Sequence, residues 1–497
     1  MKQTMPNWLM KRASLSPHRT AIEFNGEHIS FYELHVRSLS LARKLASLPI
    51  NRGDTVAFLL ENGAHTVETI HALEYLGVMI VPLNHRLAPS ELRYQLQDSQ
   101  SRFLIYDQAF TEKAEKACEQ TSAKAIRFDD AINLNEAETT IAEEINLDDH
   151  HTIMYTSGTT GLPKGVILTY ANHWWSAIGS CLNLGLHEND KWLCAVPIFH
   201  MSGLSIVMRS VIYGIPIVIQ KQFQPEKANE AIVHNEVTIV SVVSAMLTRM
   251  LQALTGAYPK TFRCMLLGGG PAPLPLLEAC KEKGIPVYQT YGMTETASQI
   301  VTLSSEYMLT KIGSAGKPLF HSDIKIEIDG RPAKANEIGE IIVKGPTVTK
   351  GYLRREKDTA QSIRDGWLYT GDLGYLDEDG FLYVVDRRSD LIISGGENVY
   401  PAEIEAALLA HPDVMEAGVT GMNDETWGQV PIAFVVAKSK LSEEQLLSFC
   451  EEKLARYKLP KRIYFVNELP RNGANKLLRR ELIHLIENRK DPMEDAH

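Results

Sequence analysis

Apolar positions recur along this chain with two periods. Residues 55–60 and 78–83 are short apolar runs that read as buried strands. Between them, residues 65–76 place Val67, Ile70, Leu73 and Leu76 three or four apart, and Gly77 stands just past the last of them. That spacing predicts an amphipathic helix closed by a glycine. Residues 91–97 read as a helix and 103–106 as a strand. Strands alternating with helices favour parallel sheets wrapped by helices. Residues 109–149 are acidic and weakly periodic and are expected to connect two subdomains; a second α/β pattern restarts at Thr152. The apolar runs at 211–219 and 237–247 are short enough for buried strands.

The pattern changes beyond residue 320. Residues 323–328, 339–343 and 381–385 are short and turn-bounded, which suggests a small antiparallel element. From Pro401 the order is helix (402–410), strand (414–420), strand (433–437), helix (443–456) and strand (463–466), an α+β arrangement. A domain boundary is expected near 387–390. The fold class is therefore α/β. A large N-terminal domain, residues 1–387, is expected to hold layered α/β subdomains and the antiparallel element. A smaller α+β C-terminal domain is expected over 391–497.

Composition narrows the partners. At 497 residues the chain is too long for one core. It is 44% apolar and 23% charged, ordinary for a globular protein. A net charge of −10 disfavours nucleic acid or an anionic membrane as partner. Cysteines 118, 181, 194, 264, 280 and 450 are scattered without a C-x-x-C pair, the pattern of reduced thiols in a cytoplasmic protein. Residues 1–19 lack an apolar signal core, and no apolar run is long enough to span a bilayer, so no integral membrane association is expected.

The densest chemistry lies in Thr156-Ser157-Gly158-Thr159-Thr160-Gly161-Leu162-Pro163-Lys164-Gly165, with four hydroxyls, three glycines, one lysine and no acid. Small residues let backbone N–H groups turn toward an anion, and phosphate fits best. The run is not G-x-x-x-x-G-K-[ST]: Pro163 stands at the second glycine and Gly165 at the Ser/Thr. Three further strings carry chemistry. In Tyr291-Gly292-Met293-Thr294-Glu295, a ring can stack on a base, a hydroxyl can reach phosphate and a carboxylate can hold Mg2+; the bland alternative is a strand end with Thr294 capping a helix. Tyr369-Thr370-Gly371-Asp372-Leu373-Gly374 reads as a turn that fixes one acid, suited to ribose hydroxyls, with Arg387 able to contact the same nucleotide. Leu469–Leu477 is a loop with Lys476 at its tip. A lone lysine is usually only a solvated charge.

In this order and spacing the strings resemble the adenylate-forming superfamily, which contains acyl-CoA synthetases, adenylation domains of peptide synthetases and beetle luciferases. The resemblance covers essentially the whole chain. It adds Pro197–Gly203 with His200 as a gating segment, Gly268-Gly269-Gly270-Pro271-Ala272-Pro273 near adenine and acyl group, and residues 386–396 as hinge and Gly-rich loop. It implies a ligase in which a small carboxylic acid attacks ATP, giving an acyl-adenylate that coenzyme A then captures, with ATP and CoA as co-substrates and Mg2+ as cofactor. Lys476 would be the adenylation lysine and Thr294 a donor to the α-phosphate. Residues 156–164 would cradle the outer phosphates, Glu295 hold Mg2+, and Tyr291, Gly270, Asp372 and Arg387 bind the nucleoside. His200 would line the acyl pocket. Gly395 and Gly396 would reach the pantetheine channel after the C-terminal domain rotates about residues 388–390.

Two positions depart from the family pattern. Asn475 stands where a glycine often precedes the lysine, and the hinge is Ser389 or Asp390. Arg209, nine residues after His200 in an apolar segment, would either meet a second carboxylate on the acid or sit at a helix edge with its head in solvent. Rivals are a fatty- or aryl-acid CoA ligase, an adenylation domain that loads a carrier protein, and a non-catalytic nucleotide-binding module. A homo-oligomer is left open.

Overall fold

The structure is a computed structural model. It describes residues 3–487 except 88, 157–162, 270–271, 388–391, 395–396, 425–426, 452, 455 and 473–474. Its framework is two large sheets packed through helices. One has seven strands: Gly351–Tyr352, Lys164–Thr169, His150–Thr156, Met79–Pro82, Thr55–Leu59, Phe103–Tyr106 and Lys124–Arg127, in that spatial order. The other has nine and runs from Lys317–Pro318 through Ser298–Leu303, Val287–Met293, Cys264–Gly268, Ile239–Val243, Trp192–Cys194, Ile217–Ile219 and Thr20–Phe24 to Glu27–Ser30. The central strands of both are parallel; antiparallel strands close both edges of the second sheet and one edge of the first.

The main core lies between these sheets. Val56, Phe58 and Ile80 from one and Trp192, Ile217 and Ile239 from the other share a cluster with Leu41, Leu73 and Leu204 from helices. Burying such apolar surface supplies most of the folding free energy, at about 25 cal/mol per Å². Local signals agree with this packing. Ser30 and Glu33 cap the helix Phe31–Leu45 reciprocally, and Gly77 ends Ala64–Leu76 at a left-handed φ of 65°.

Three expectations need correction. Residues 109–149 do not merely connect subdomains. They contain the helix Thr111–Cys118 and the strand Lys124–Arg127, which extends the first sheet in parallel with Phe103–Tyr106. Thr152 does not open a separate α/β unit either, because it pairs with Ile80 in that same sheet. The apolar runs at 211–219 and 237–247 are each part strand and part helix. Gly214 ends the helix Met201–Tyr213 before the strand Ile217–Ile219, and Ile239–Val243 leads into Ser244–Ala253.

Asp323–Ile328, Gly339–Lys344, Trp367–Leu376 and Leu382–Arg387 form the expected antiparallel element with two short edge strands. A separate sheet of Glu397–Val399, Ile392–Ser394, Gly428–Ala437, Val414–Asp424 and Ile463–Phe465 follows, covered by the helices Pro401–Leu409 and Glu443–Glu451. The hinge candidates Ser389 and Asp390 lie outside the described residues. Among the described residues all six cysteines are free, and no helix is long and apolar enough to cross a membrane.

Candidate active site

The phosphate-type loop joins two antiparallel strands, His150–Thr156 and Lys164–Thr169, with Thr156 opposite Lys164 in register. The loop therefore springs from a hairpin. Ser157, Gly158, Thr159 and Thr160 lie outside the described residues; Thr156 and Lys164 mark its two stems. Lys164 Nζ lies 2.6 Å from Asp358 Oδ1 and 5.3 Å from the centre of the Tyr352 ring. The Tyr352 hydroxyl in turn donates to Glu295 Oε1 at 3.1 Å. Sequence positions 164, 295 and 352 are thus joined through one ring.

Glu295 sits in a single 3-10 turn, Thr294–Thr296, directly after the strand Val287–Met293, and is 8% exposed. Thr294 opens this turn and does not cap it; Met293 occupies the cap position. The peptide carbonyl of Glu295 accepts from Thr349 N at 2.8 Å, which ties the turn to the segment leading to Tyr352.

Tyr291 and Asp372 meet. The tyrosine hydroxyl donates to Asp372 Oδ2 at 2.8 Å, across 81 residues of sequence. Asp372 is 7% exposed and lies within the ten-residue strand Trp367–Leu376, not in a turn as its flanking glycines suggested. The glycines serve the strand differently. Gly371 takes a φ of 72°, and a side chain on Gly374 would collide with the carbonyl of Tyr383 on the neighbouring strand. Arg387 is the register partner of Asp372 on that neighbour. Gly269, with φ 85°, follows the strand Cys264–Gly268; Gly270 is outside the described residues, as are Gly395 and Gly396.

His200 stands at the N-terminus of the helix Met201–Tyr213, against Phe199 at 4.6 Å between ring centres. Phe199 packs edge-on to His85, which stacks on Phe110. Burial, reinforced by Arg86 and His85, pulls the His200 imidazole down to about 4, so it is neutral near pH 7. Its Nε2 is buried without a hydrogen-bond partner. The segment before it is clamped by Asn62, whose amide donates to Val196 O at 2.9 Å and accepts from Ile198 N at 2.9 Å. A side chain on Gly203 would strike the Pro197 carbonyl, so the turn closes only on glycine.

Arg209 occupies the same helix two turns on. Its head is not in solvent: the residue is 2% exposed. The guanidinium lies 5.2 Å from the centre of the Trp192 ring, and Nη2 is 3.4 Å from the hydroxyls of Ser176 and Ser298. Nε has no partner, and among the described residues no carboxylate forms an ion pair with it. Burial lowers its affinity for the proton, although an arginine remains charged. A buried cation so lightly compensated suits an incoming anion.

Lys476 is exposed on a loop closed by the Arg471–Leu477 bridge. Its N–H donates to Asn472 Oδ1 at 2.9 Å. Asn475 has φ 61°, the left-handed region open to Gly and Asn, which explains why asparagine substitutes for the usual glycine.

Sequence reasoning missed Asn62, Tyr352 and Asp358. None lies in a glycine-rich or otherwise marked string, and each acts through a contact distant in sequence, 57 residues away for the Tyr352–Glu295 bond and more than a hundred for Asn62 and Asp358.

The chain that carries these strings matches known proteins over most of its length. The model for "AMP-binding enzyme" matches residues 9–353, and that for "AMP-binding enzyme C-terminal domain" matches 403–476. The chain belongs to the AMP-binding enzyme family. Among family members, it is 60% identical over 486 residues to the 2-succinylbenzoate–CoA ligase of Geobacillus kaustophilus, covering 97% of this chain and 98% of that protein. Its fold matches o-succinylbenzoate CoA synthetase (MenE) from Bacillus subtilis in complex with the acyl-adenylate intermediate OSB-AMP. The TM-score is 0.93 at 50% identity, over 97% of this chain and 98% of the other. The same enzyme in complex with ATP and magnesium ion gives a TM-score of 0.92 at 49% identity, over 97% and 100%.

Proposed function

We infer that this family member is an AMP-forming acid–thiol ligase acting on 2-succinylbenzoate. It converts the acid, ATP and coenzyme A to 2-succinylbenzoyl-CoA, AMP and diphosphate, a step of menaquinone biosynthesis. Identity of 60% over nearly the full length of a curated ligase carries the reaction. The buried Arg209, with no acidic partner among the described residues, supports the choice of a dicarboxylic acid over the fatty- or aryl-acid alternatives. A fatty-acid tunnel gains nothing from a buried cation.

In the first half-reaction a substrate carboxylate oxygen bonds to the α-phosphorus of ATP, and the bond to the β-phosphate oxygen breaks. Two anions must approach, so the protein's contribution is orientation and charge neutralisation. Lys476 is proposed to lie between carboxylate and α-phosphate, and Thr294 to donate to that phosphate. Thr156, the four residues that follow it and Lys164 would cradle the β and γ groups. Asp372 and Arg387 would hold the ribose, beside Tyr291 and Gly270 at the base. The Tyr291–Asp372 hydrogen bond supports this, because it puts an aromatic ring and an acid side by side.

The residues present fit Mg2+. Glu295 offers a buried carboxylate bonded to Tyr352, whose ring also faces Lys164, and among the described residues no set of three or more His, Cys, Asp or Glu side chains could hold a metal alone. That donor set suits Mg2+, which keeps waters and takes substrate phosphates as ligands. Bound there, the ion would neutralise phosphate charge.

In the second half-reaction the coenzyme A thiol loses its proton, its sulfur bonds to the acyl carbon, and AMP leaves. Rotation of residues 391–497 about 388–390 would bring Gly395 and Gly396 to the thiol path. His200 is proposed as a pocket wall: an ionised carboxylate needs no general base. The site of action is proposed as the cytoplasm. Testing a panel of carboxylic acids for ATP- and CoA-dependent thioester formation checks the reading; a fatty acid preferred over 2-succinylbenzoate rejects it.

A further inference from the structure

The phosphate-loop lysine is already engaged. Lys164 Nζ is 2.6 Å from Asp358 Oδ1, a pair whose side chains are 18% and 32% exposed. Asp358 belongs to the short helix Glu356–Ser362, and that helix is anchored to the loop's own strand. Tyr352 N donates to Thr359 Oγ1 at 2.9 Å, and Leu353 N donates to Gly165 O at 2.8 Å. The other stem contact comes from a second helix: Tyr94 OH donates to Pro163 O at 3.1 Å and accepts from Arg355 Nη2 at 2.8 Å. The exit stem of the loop is therefore fixed in position, and within it the lysine head points at a carboxylate.

We propose that Asp358 is a latch on the phosphate loop, competing with the triphosphate of ATP for Lys164. This rests on the nucleotide site proposed above. The lysine cannot give its full charge to the outer phosphates while Asp358 holds it. Asp358 is also a fixed negative charge beside the place where those phosphates would lie, so it opposes them twice. Its role would be to set how tightly the outer phosphates are held, and hence how readily diphosphate leaves. AMP has no outer phosphates and escapes the competition.

Partly exposed ion pairs are worth little, so the expected effect is modest: about 2- to 5-fold in affinity. The test is calorimetric titration of the full-length protein with MgATP, Mg-diphosphate and AMP, in the absence of acid. Asp358→Asn keeps the shape and removes the charge. It should tighten MgATP and diphosphate by that factor and leave AMP unchanged, and Asp358→Glu should restore the wild-type values. In a Lys164→Met background, Asp358→Asn should lose the part of its effect that comes from competition for the lysine and keep only the relief of direct repulsion. An aspartate that merely supports the fold predicts the opposite pattern, with all three ligands weakened together. Wild-type protein that binds MgATP while Asp358→Asn changes nothing, or shifts AMP equally, overturns the latch alone. Wild-type protein that binds no MgATP overturns the nucleotide site and the latch with it.

Discussion

Replacing Arg209 with methionine separates binding from folding. Methionine keeps an unbranched stem of similar reach and removes the charge. In the folded protein the guanidinium has one unpartnered nitrogen and two long contacts to serine hydroxyls, offset by its stacking on Trp192 and by the neighbouring Tyr213 hydroxyl. An unsatisfied buried polar group costs about 1–3 kcal/mol, and a desolvated cation–π contact returns about 2 kcal/mol. Stability should therefore change by less than about 2 kcal/mol, in either direction. The substrate should respond far more. A carboxylate left buried without its cation loses about 2–4 kcal/mol, at the lower side of what breaking a buried pair costs, or about 30- to 1,000-fold in kcat/KM. The assay is steady-state thioester formation with 2-succinylbenzoate and with its two monocarboxylate analogues, each lacking one acid group. The loss should appear for 2-succinylbenzoate and shrink to within about threefold for the analogue that keeps only the activated carboxylate. Equal losses on all acids, or a fall in stability beyond about 3 kcal/mol, would show that Arg209 serves the fold.

Other outcomes follow from the remaining side chains. Lys476→Ala should slow acyl-adenylate formation by at least about 100-fold while sparing thiolation of preformed adenylate, measured by single-turnover mixing; equal loss in both halves contradicts a lysine that serves one half only. Glu295→Gln should raise the Mg2+ concentration needed for half-maximal diphosphate release more than it changes the KM for acid; an unchanged Mg2+ dependence removes Glu295 from the metal site. Tyr291→Phe breaks the bond to Asp372 and should weaken AMP binding by about 5- to 10-fold, with Asp372→Asn costing more, both read by AMP titration. His200 is a base whose proton affinity burial depresses to about 4 from 6.5. Between those values the unfolded chain binds the extra proton, so the stability His200 lends at neutral pH is lost as pH falls through that window. Thermal midpoints followed from pH 7 to pH 4 should drop less steeply in His200→Asn than in wild type.

Much of the site was legible because its chemistry is written in contiguous strings. Small residues, one lysine and no acid in residues 156–165 mark an anion loop before any fold is known. What was not legible is the pairing of distant strings. Tyr291 and Asp372 meet only because the strands Val287–Met293 and Trp367–Leu376 belong to neighbouring sheets, and nothing local to either announces it. Asp372 was misread as a turn residue because glycines mark both turns and close strand packing, and Gly374 serves the second purpose. The burial of Arg209 did have a signal. Its helix, Met201–Tyr213, is mostly apolar, and such a helix buries most of its surface; here every residue from Gly203 to Val211 is buried. Ala64–Leu76, expected to be amphipathic, is buried on almost every side instead: His71 and Glu74 are as buried as the leucines and bond to each other at 2.7 Å. Residues 109–149 hid an edge strand, Lys124–Arg127, because exposed edge positions carry no apolar rhythm.

The central claim is that the protein activates an acid as its adenylate before any thiol takes part. Mixing enzyme with ATP, Mg2+ and 2-succinylbenzoate, with coenzyme A withheld, tests it most directly. The account predicts a burst of about one diphosphate per active site and an enzyme-held acyl-adenylate that coenzyme A then converts to thioester and AMP. Release of ADP and orthophosphate, or no diphosphate until coenzyme A is added, would contradict it.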